Sequence, residues 1–161
     1  MPDHPVVASL LRSIDEAYDR RSWHGTNLRG SLRGLDARRA SWRPARGRHN
    51  VWEIVLHAAY WKYVVRRRLT REKRGSFSLP GSNWFSSPAR PTQAAWKEAR
   101  ALLATEHRRL RPVIAGLASP RLGPGSHQGS ERLARGIAAH DLYHAGQIQL
   151  LKRLMPARRR A

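Results

Sequence analysis

Three histidines stand at spacings that suit a shared metal ion. His140 and His144 are four residues apart in SERLARGIAAHDLYHAGQIQLLKRL, and His57 lies in NVWEIVLHAAYWKYVVRRRL. Residues four apart on a helix project from the same side, so His140 and His144 can hold one ion together. A histidine from a facing helix would supply a third ligand and leave coordination positions open, as in catalytic metal sites.

Each of these histidines falls within the apolar stripe of its segment. His57 lies between Ile54 and Trp61, and the later pair lies between Ile137 and Ile148. A buried imidazole must satisfy two ring nitrogens, and a single core histidine usually does so with a backbone carbonyl. Spacing alone therefore leaves two interpretations open: one metal site, or three separate structural histidines.

Three further polar side chains are candidates for catalytic roles. Glu53, one turn before His57, could orient that histidine, act as a base or bind the metal; the alternative is a capping-box contact to Asn50. Gln147 could hydrogen-bond a water or substrate at the metal, and the phenol of Tyr143 could reach the pocket. The remaining histidines are assigned to loops or polar faces rather than to the metal: His4, His24, His49, His107 and His127.

Four long helical patterns and no convincing strand predict an all-α fold. They cover about residues 5–20, 50–70, 92–117 and 130–155, and Asp36 is predicted to cap a short helical turn through Ala40. Pro112 should kink the third long helix or end its regular part. The chain is interpreted as one domain over residues 1–161, a four-helix bundle with long crossover links and a frayed tail at 155–161.

A long link in this pattern spans residues 71–91 and is rich in Gly, Ser and Pro. A link of this length in a compact domain is more often a functional loop than spare chain. Trp84 and Phe85 at its centre either cover a pocket or close the end of the core.

Composition narrows the function classes. The chain has no cysteine and a net charge of +20, and arginine supplies most of its 31 basic residues. The absence of cysteine rules out disulfides and a protein thiolate, and a cytoplasmic location is expected; no segment reads as a membrane span or signal peptide. The charge indicates either an anionic partner, such as nucleic acid or an acidic small molecule, or a coding sequence that uses arginine wherever a cation is tolerated.

The two histidine segments together resemble the DinB/YfiT-like superfamily of bacterial four-helix bundle proteins. The resemblance runs from about Leu10 to Leu154 and includes Trp23-His24-Gly25 and GSNWF at 81–85; its most specific element is H-x-x-x-H-x-G-Q-I near the end of the chain. It implies a metal site with one ligand from the second long helix and two from the fourth. By position these ligands are His57, His140 and His144.

The resemblance also implies a reaction class. Relatives include thiol S-transferases and an isomerase that use small bacterial thiols, and some relatives are proposed hydrolases. We therefore expect a divalent ion, zinc or nickel, that activates a low-molecular-weight thiol cosubstrate or a water for transfer or hydrolysis on a small electrophilic substrate. Arginines near the pocket would attract acidic groups of that substrate, and a homodimer is expected from the relatives. The alternatives are a basic nucleic-acid-binding protein and a helical scaffold with a structural metal.

Overall fold

The helices account for most of the chain that the structure describes. The structure is a computed structural model that describes residues 4–117 and 129–157, and it contains no strand in these two ranges. The helices of the described part are α1 (Pro5–Tyr18), α2 (Leu28–Ser31), α3 (Ala37–Ser41), α4 (Val51–Thr70), α5 (Gln93–Ala115) and α6 (Ser130–Leu154). The all-α prediction is confirmed.

Local side-chain caps fix where the helices begin. The side chain of Asn50 accepts a hydrogen bond from the N–H of Glu53 at 2.9 Å, at the start of α4. Thr92 caps α5 in the same way, and Asp36 caps α3. These side-chain oxygens satisfy N–H groups that have no partner within the helix, so the sequence locates all three starts correctly.

The four long helices make a closed ring of contacts. α4 packs against α5 and α6, and α1 packs against the same two helices. Within the described ranges, α1 and α4 make few or no contacts with each other, and neither do α5 and α6. Of the three pairs of long helices that are consecutive in the chain, α1 with α4 and α5 with α6 are therefore diagonal, whereas α4 and α5 are neighbours. Diagonal pairs are the arrangement that crossover links produce.

The core divides into two apolar clusters. One cluster joins α2, α3, the first half of α4, the first half of α5 and the last half of α6, and includes Trp52 and Trp96. The other joins α1, the last part of α4, the last part of α5 and the first half of α6, and includes Ile14 and Leu110. A set of buried polar side chains on α4, α5 and α6 lies between the two clusters. We call this set the polar layer, and it consists of His57, Lys62, Glu106, His107, Asp141 and His144.

Several predicted boundaries need correction. α1 ends at Tyr18 rather than near Arg20, and α5 continues past Pro112 to Ala115. Met155 is buried in the core, so the chain is still packed at the position where a frayed tail was expected to begin. The predicted loop between α5 and α6, with His127, lies almost wholly outside the described residues, as do 158–161.

The described helices carry no membrane span. None of them combines the length with the apolar composition that crossing a bilayer requires.

Candidate metal centre

The three predicted ligands meet at one point between α4 and α6. Nε2 of His140 lies 3.1 Å from Nε2 of His57 and 3.1 Å from Nε2 of His144. His57 and His144 are buried, and His140 is half-buried. The fold therefore brings together two histidines one turn apart on α6 and a third from α4, each offering one ring nitrogen.

Hydrogen bonds on the opposite ring nitrogens orient two of the three imidazoles. Nδ1 of His57 is 2.8 Å from the backbone carbonyl oxygen of Asn83, and Nδ1 of His144 is 2.7 Å from Oε1 of Gln147. Both partners are acceptors in this arrangement, so each Nδ1 donates its hydrogen. The proton of each neutral ring then sits on Nδ1, and Nε2 presents a free lone pair to the cluster.

Burial keeps these rings neutral. It is the largest cause that lowers the pKa of His140 to about 3 and that of His144 to about 4, and neighbouring histidines lower both further. Burial also lowers the pKa of His57, although the hydrogen bond to Asn83 acts in the opposite direction. At neutral pH the cluster is therefore a set of three neutral imidazoles, the form in which histidine binds metals.

The arrangement fits a divalent metal ion. Nitrogens that each lie about 2.0–2.1 Å from a single zinc ion are separated by roughly 3 to 3.5 Å, which is the spacing found here. The Nε2 lone pairs of His57 and His144 both face Nε2 of His140, so a cation placed between the three nitrogens would be attracted to them. The acceptors on His57 and His144 also match the outer hydrogen bonds that metal-bound histidines usually make.

His140 is the exception among the three rings. Its Nδ1 is buried and has no hydrogen-bond partner within the described residues. Its position is set instead by α6 and by contact with its two neighbours, at ring centroid distances of 5.1 Å to His57 and 4.3 Å to His144.

Trp84 covers one face of the cluster. Its indole stacks on His57 at a centroid distance of 3.8 Å and on His49 at 3.6 Å, so it lies between two imidazoles. Phe85, the next residue, is instead buried in the core. Trp84 therefore covers the histidine cluster, whereas Phe85 closes the end of the core.

Glu53 lies outside the cluster and anchors the surrounding loops. Its carboxylate accepts hydrogen bonds from Arg43 at 2.8 Å and from the backbone N–H of Ser87 at 3.3 Å, and pairs with His49 at 2.9 Å. The capping box with Asn50 is only half formed, because the glutamate side chain is used elsewhere. Burial raises the pKa of Glu53, but these hydrogen bonds outweigh burial and lower it to about 2.

The other two catalytic candidates contact His144. Gln147 accepts the hydrogen bond from its Nδ1, which makes it a positioning residue in this arrangement rather than a group facing the ligand nitrogens. The ring of Tyr143 meets His144 edge-on at 5.2 Å, and 64% of the tyrosine is exposed. Its catalytic role remains a prediction.

The assignment of His107 to a polar face is wrong. It is buried on α5, stacks on Tyr18 at 3.8 Å, and its Nδ1 lies 3.5 Å from Nζ of Lys62. Lys62 itself is buried and donates a hydrogen bond to Asp141, the residue that follows His140. The sequence signal was a lysine and an aspartate within apolar stripes, where a charge requires a partner.

Loop residues supply the features that sequence reasoning missed. Asn83 has a left-handed backbone with φ of 64°, which aims its carbonyl at His57, while its side-chain oxygen accepts a hydrogen bond from the indole of Trp61 at 3.0 Å. Asparagine tolerates this conformation better than most residues, so its presence within GSNWF was a usable signal.

One family comparison matches the chain. The model of the DinB superfamily matches residues 18–148, a range that contains all three histidines of the cluster. No curated protein and no solved structure shows significant similarity to the chain. The family match and the three-histidine cluster together fit a metal-binding protein.

Proposed function

Because the chain belongs to the DinB superfamily and gathers His57, His140 and His144 at one point, we propose that it is a divalent-metal-dependent enzyme. Its reaction is the transfer of a small thiol, or hydrolysis by water, at a small electrophilic substrate. The observation that carries this proposal is that Nε2 of His140 lies 3.1 Å from Nε2 of His57 and 3.1 Å from Nε2 of His144.

A bound divalent ion supplies Lewis acidity, because three neutral imidazoles leave its charge of +2 intact and it can then lower the pKa of an entering thiol or water. Zinc and nickel both suit imidazole ligands. The protein's own residues hold and orient the histidines. Asn83 and Gln147 fix the rings of His57 and His144 through hydrogen bonds, and Trp84 excludes water from one face of His57.

The nucleophile comes from outside the protein, since the chain has no cysteine. In thiol transfer, the sulfur of the cosubstrate forms a bond to an electrophilic carbon, the leaving group departs with its electron pair, and the thiol proton passes to solvent. In hydrolysis, the oxygen of water takes the place of the sulfur. Both reactions use the same site and differ only in the molecule that enters beside the histidines.

An assay with defined thiols and electrophiles tests the proposal. Protein loaded with Zn²⁺ or Ni²⁺ is incubated with cysteine or glutathione and 1-chloro-2,4-dinitrobenzene, and separately with 4-nitrophenyl acetate and water alone. We expect turnover that disappears in His57→Ala and His144→Ala and survives in His24→Ala, which changes an exposed histidine. Equal turnover in all four proteins, or none with any thiol or ester, would contradict it.

A structural metal is the second candidate, and one observation favours it. The histidines lie between the two apolar clusters of the core, where an ion would tie α4 to α6. In that case removing the ion lowers the melting temperature and no substrate is turned over. Measurable turnover that depends on the ion would exclude a purely structural role.

A further inference from the structure

A cleft of about 920 Å³ runs beside the histidine cluster. It lies between the C-terminal half of α4 and the N-terminal half of α6, and His140 is part of its wall. Its apolar lining consists of Trp61, Val65, Leu133 and Ile137. A small organic molecule could therefore rest on an apolar surface and still reach the half-buried member of the cluster.

Arginines surround this apolar surface. Those that line the cleft are Arg67, Arg68, Arg71 and Arg132. Glu72 is the one acid among the lining residues described, and it is already paired with Arg66 at 2.7 Å. The cleft therefore carries a strong excess of positive charge next to the site proposed for the metal.

Three of these arginines have no partner in the described part of the chain. Arg68, Arg71 and Arg132 are exposed, and no hydrogen bond or ion pair joins their guanidinium groups to another described residue. Arg111, in contrast, makes two hydrogen bonds to Asp15, at 2.8 and 2.9 Å. A free guanidinium can bind a carboxylate or phosphate group through two parallel hydrogen bonds.

We propose that this cleft binds the acidic end of a small organic anion, a carboxylate or a phosphate, through Arg68 and Arg132. The apolar body of the anion packs on Trp61 and Ile137, and its other end lies at His140. Its role as the substrate rests on the proposed function, whereas anion binding itself needs no metal. The volume and the apolar lining fit a small molecule, because a polynucleotide is bound mainly along extended charged surface.

Gly136 offers a direct way to close the cleft. It lines the cleft on α6, and a Cβ built on it would meet no heavy atom within 4 Å. A larger residue at this position enters the cleft without displacing the core, and it favours the helix more than glycine does. Gly136→Met should therefore remove ligand binding while the melting temperature stays the same or rises, a result that a merely structural role of the cleft would not produce.

Calorimetric titration with defined anions tests this inference. The probes are phenyl phosphate and phenylacetate, which separate phosphate from carboxylate recognition, with 2-phenylethanol as the neutral control. Metal-free wild-type protein should bind at least one anion and not the alcohol. Arg68→Gln/Arg132→Gln should weaken binding by about tenfold or more, because hydrogen bonds between charged groups are lost. The matched control is Arg12→Gln/Arg153→Gln, which removes the same charge from exposed sites outside the cleft.

Each outcome has a separate meaning. Equal weakening by the two double variants, or binding that persists in Gly136→Met, would overturn the inference, as would no binding of either anion. A single-stranded oligonucleotide that binds more tightly than the probes through Arg68 and Arg132 would also overturn it, in favour of a polynucleotide partner. Metal content is measured on the same samples: anion binding by protein that takes up no Zn²⁺ or Ni²⁺ would contradict the proposed function alone.

Discussion

The indole of Trp84 lies parallel to the imidazole of His57, with centroids 3.8 Å apart and an interplanar angle of 11°. The preceding residue, Asn83, accepts the hydrogen bond from Nδ1 of the same imidazole at 2.8 Å. Two consecutive residues of the loop between α4 and α5 therefore hold one predicted ligand, one through its edge and the other through its face.

Replacing Trp84 should expose the imidazole of His57 and allow it more motion. Trp84→Ala removes two stacked contacts, with His49 and His57, and aromatic contacts of this kind contribute about 0.5–1.5 kcal/mol each. We expect a lower melting temperature and weaker Zn²⁺ binding in competition with a chromophoric chelator. Trp84→Phe should retain most of both properties. Trp23→Ala is the control, because Trp23 is 98% exposed; an equal loss in this variant would contradict the explanation.

Gln147 should contribute to metal affinity without contacting the ion. Its Oε1 accepts the hydrogen bond that orients His144. Loss of such outer partners typically costs about 10- to 100-fold in metal affinity or activity, so Gln147→Ala should weaken Zn²⁺ binding within that range. Gln149→Ala, two residues along the same helix, should leave the affinity unchanged. Unaltered affinity in Gln147→Ala would show that the hydrogen bond does not position the ligand.

The buried pair of Lys62 and Asp141 should behave as a unit. Each side chain is 1% exposed. Lys62→Met leaves the carboxylate buried without its partner, which costs about 3–5 kcal/mol of unfolding free energy in comparable pairs. In urea denaturation, Lys62→Met/Asp141→Leu should recover much of that loss. If the losses of the two single variants simply add, the two residues do not depend on each other.

The hydrogen bonds of Glu53 should make the free energy of unfolding depend on pH in the acid range. Its folded-state pKa of about 2 lies below its ordinary value of 4.5 because hydrogen bonds from Arg43 and His49 outweigh the effect of burial. Its contribution to the unfolding free energy is therefore complete above about pH 5 and is lost as the pH falls toward 2. Urea unfolding between pH 7 and 3 should show a shallower pH dependence in Glu53→Gln than in wild type.

The control for this pH series is Glu98→Gln, which changes an exposed carboxylate on α5. It should keep the wild-type pH dependence. The same slope in wild type and Glu53→Gln would mean that the contacts of Glu53 with the loops do not contribute to the acid sensitivity.

Local signals in the sequence predict the helices and identify the three histidines as a candidate metal site. Caps such as Asn50 and Thr92 act within three residues, so helix starts can be read without knowledge of the fold. The spacing of His140 and His144 within an apolar stripe likewise depends on one helix alone. The family match over residues 18–148 agrees with the resemblance that these segments show.

Contacts between distant segments are the part that the sequence does not predict. Asn83 reaches His57 across 26 residues, and Lys62 meets His107 across 45. A helical wheel takes account only of the helix that contains His107. Its buried partner, Lys62, belongs to another helix. The contacts of Glu53 could not be predicted for the same reason, because Arg43 and Ser87 approach it from two separate loops.

The proposed function requires that His57, His140 and His144 bind one divalent ion together. The most direct measurement is the metal content of untagged protein after incubation with Zn²⁺ or Ni²⁺ and removal of free metal, determined by mass spectrometry. We expect one ion per chain in wild type and in His24→Ala, and loss of that ion in His57→Ala and His144→Ala. A wild-type protein that takes up neither metal, or variants that retain the ion, would contradict it.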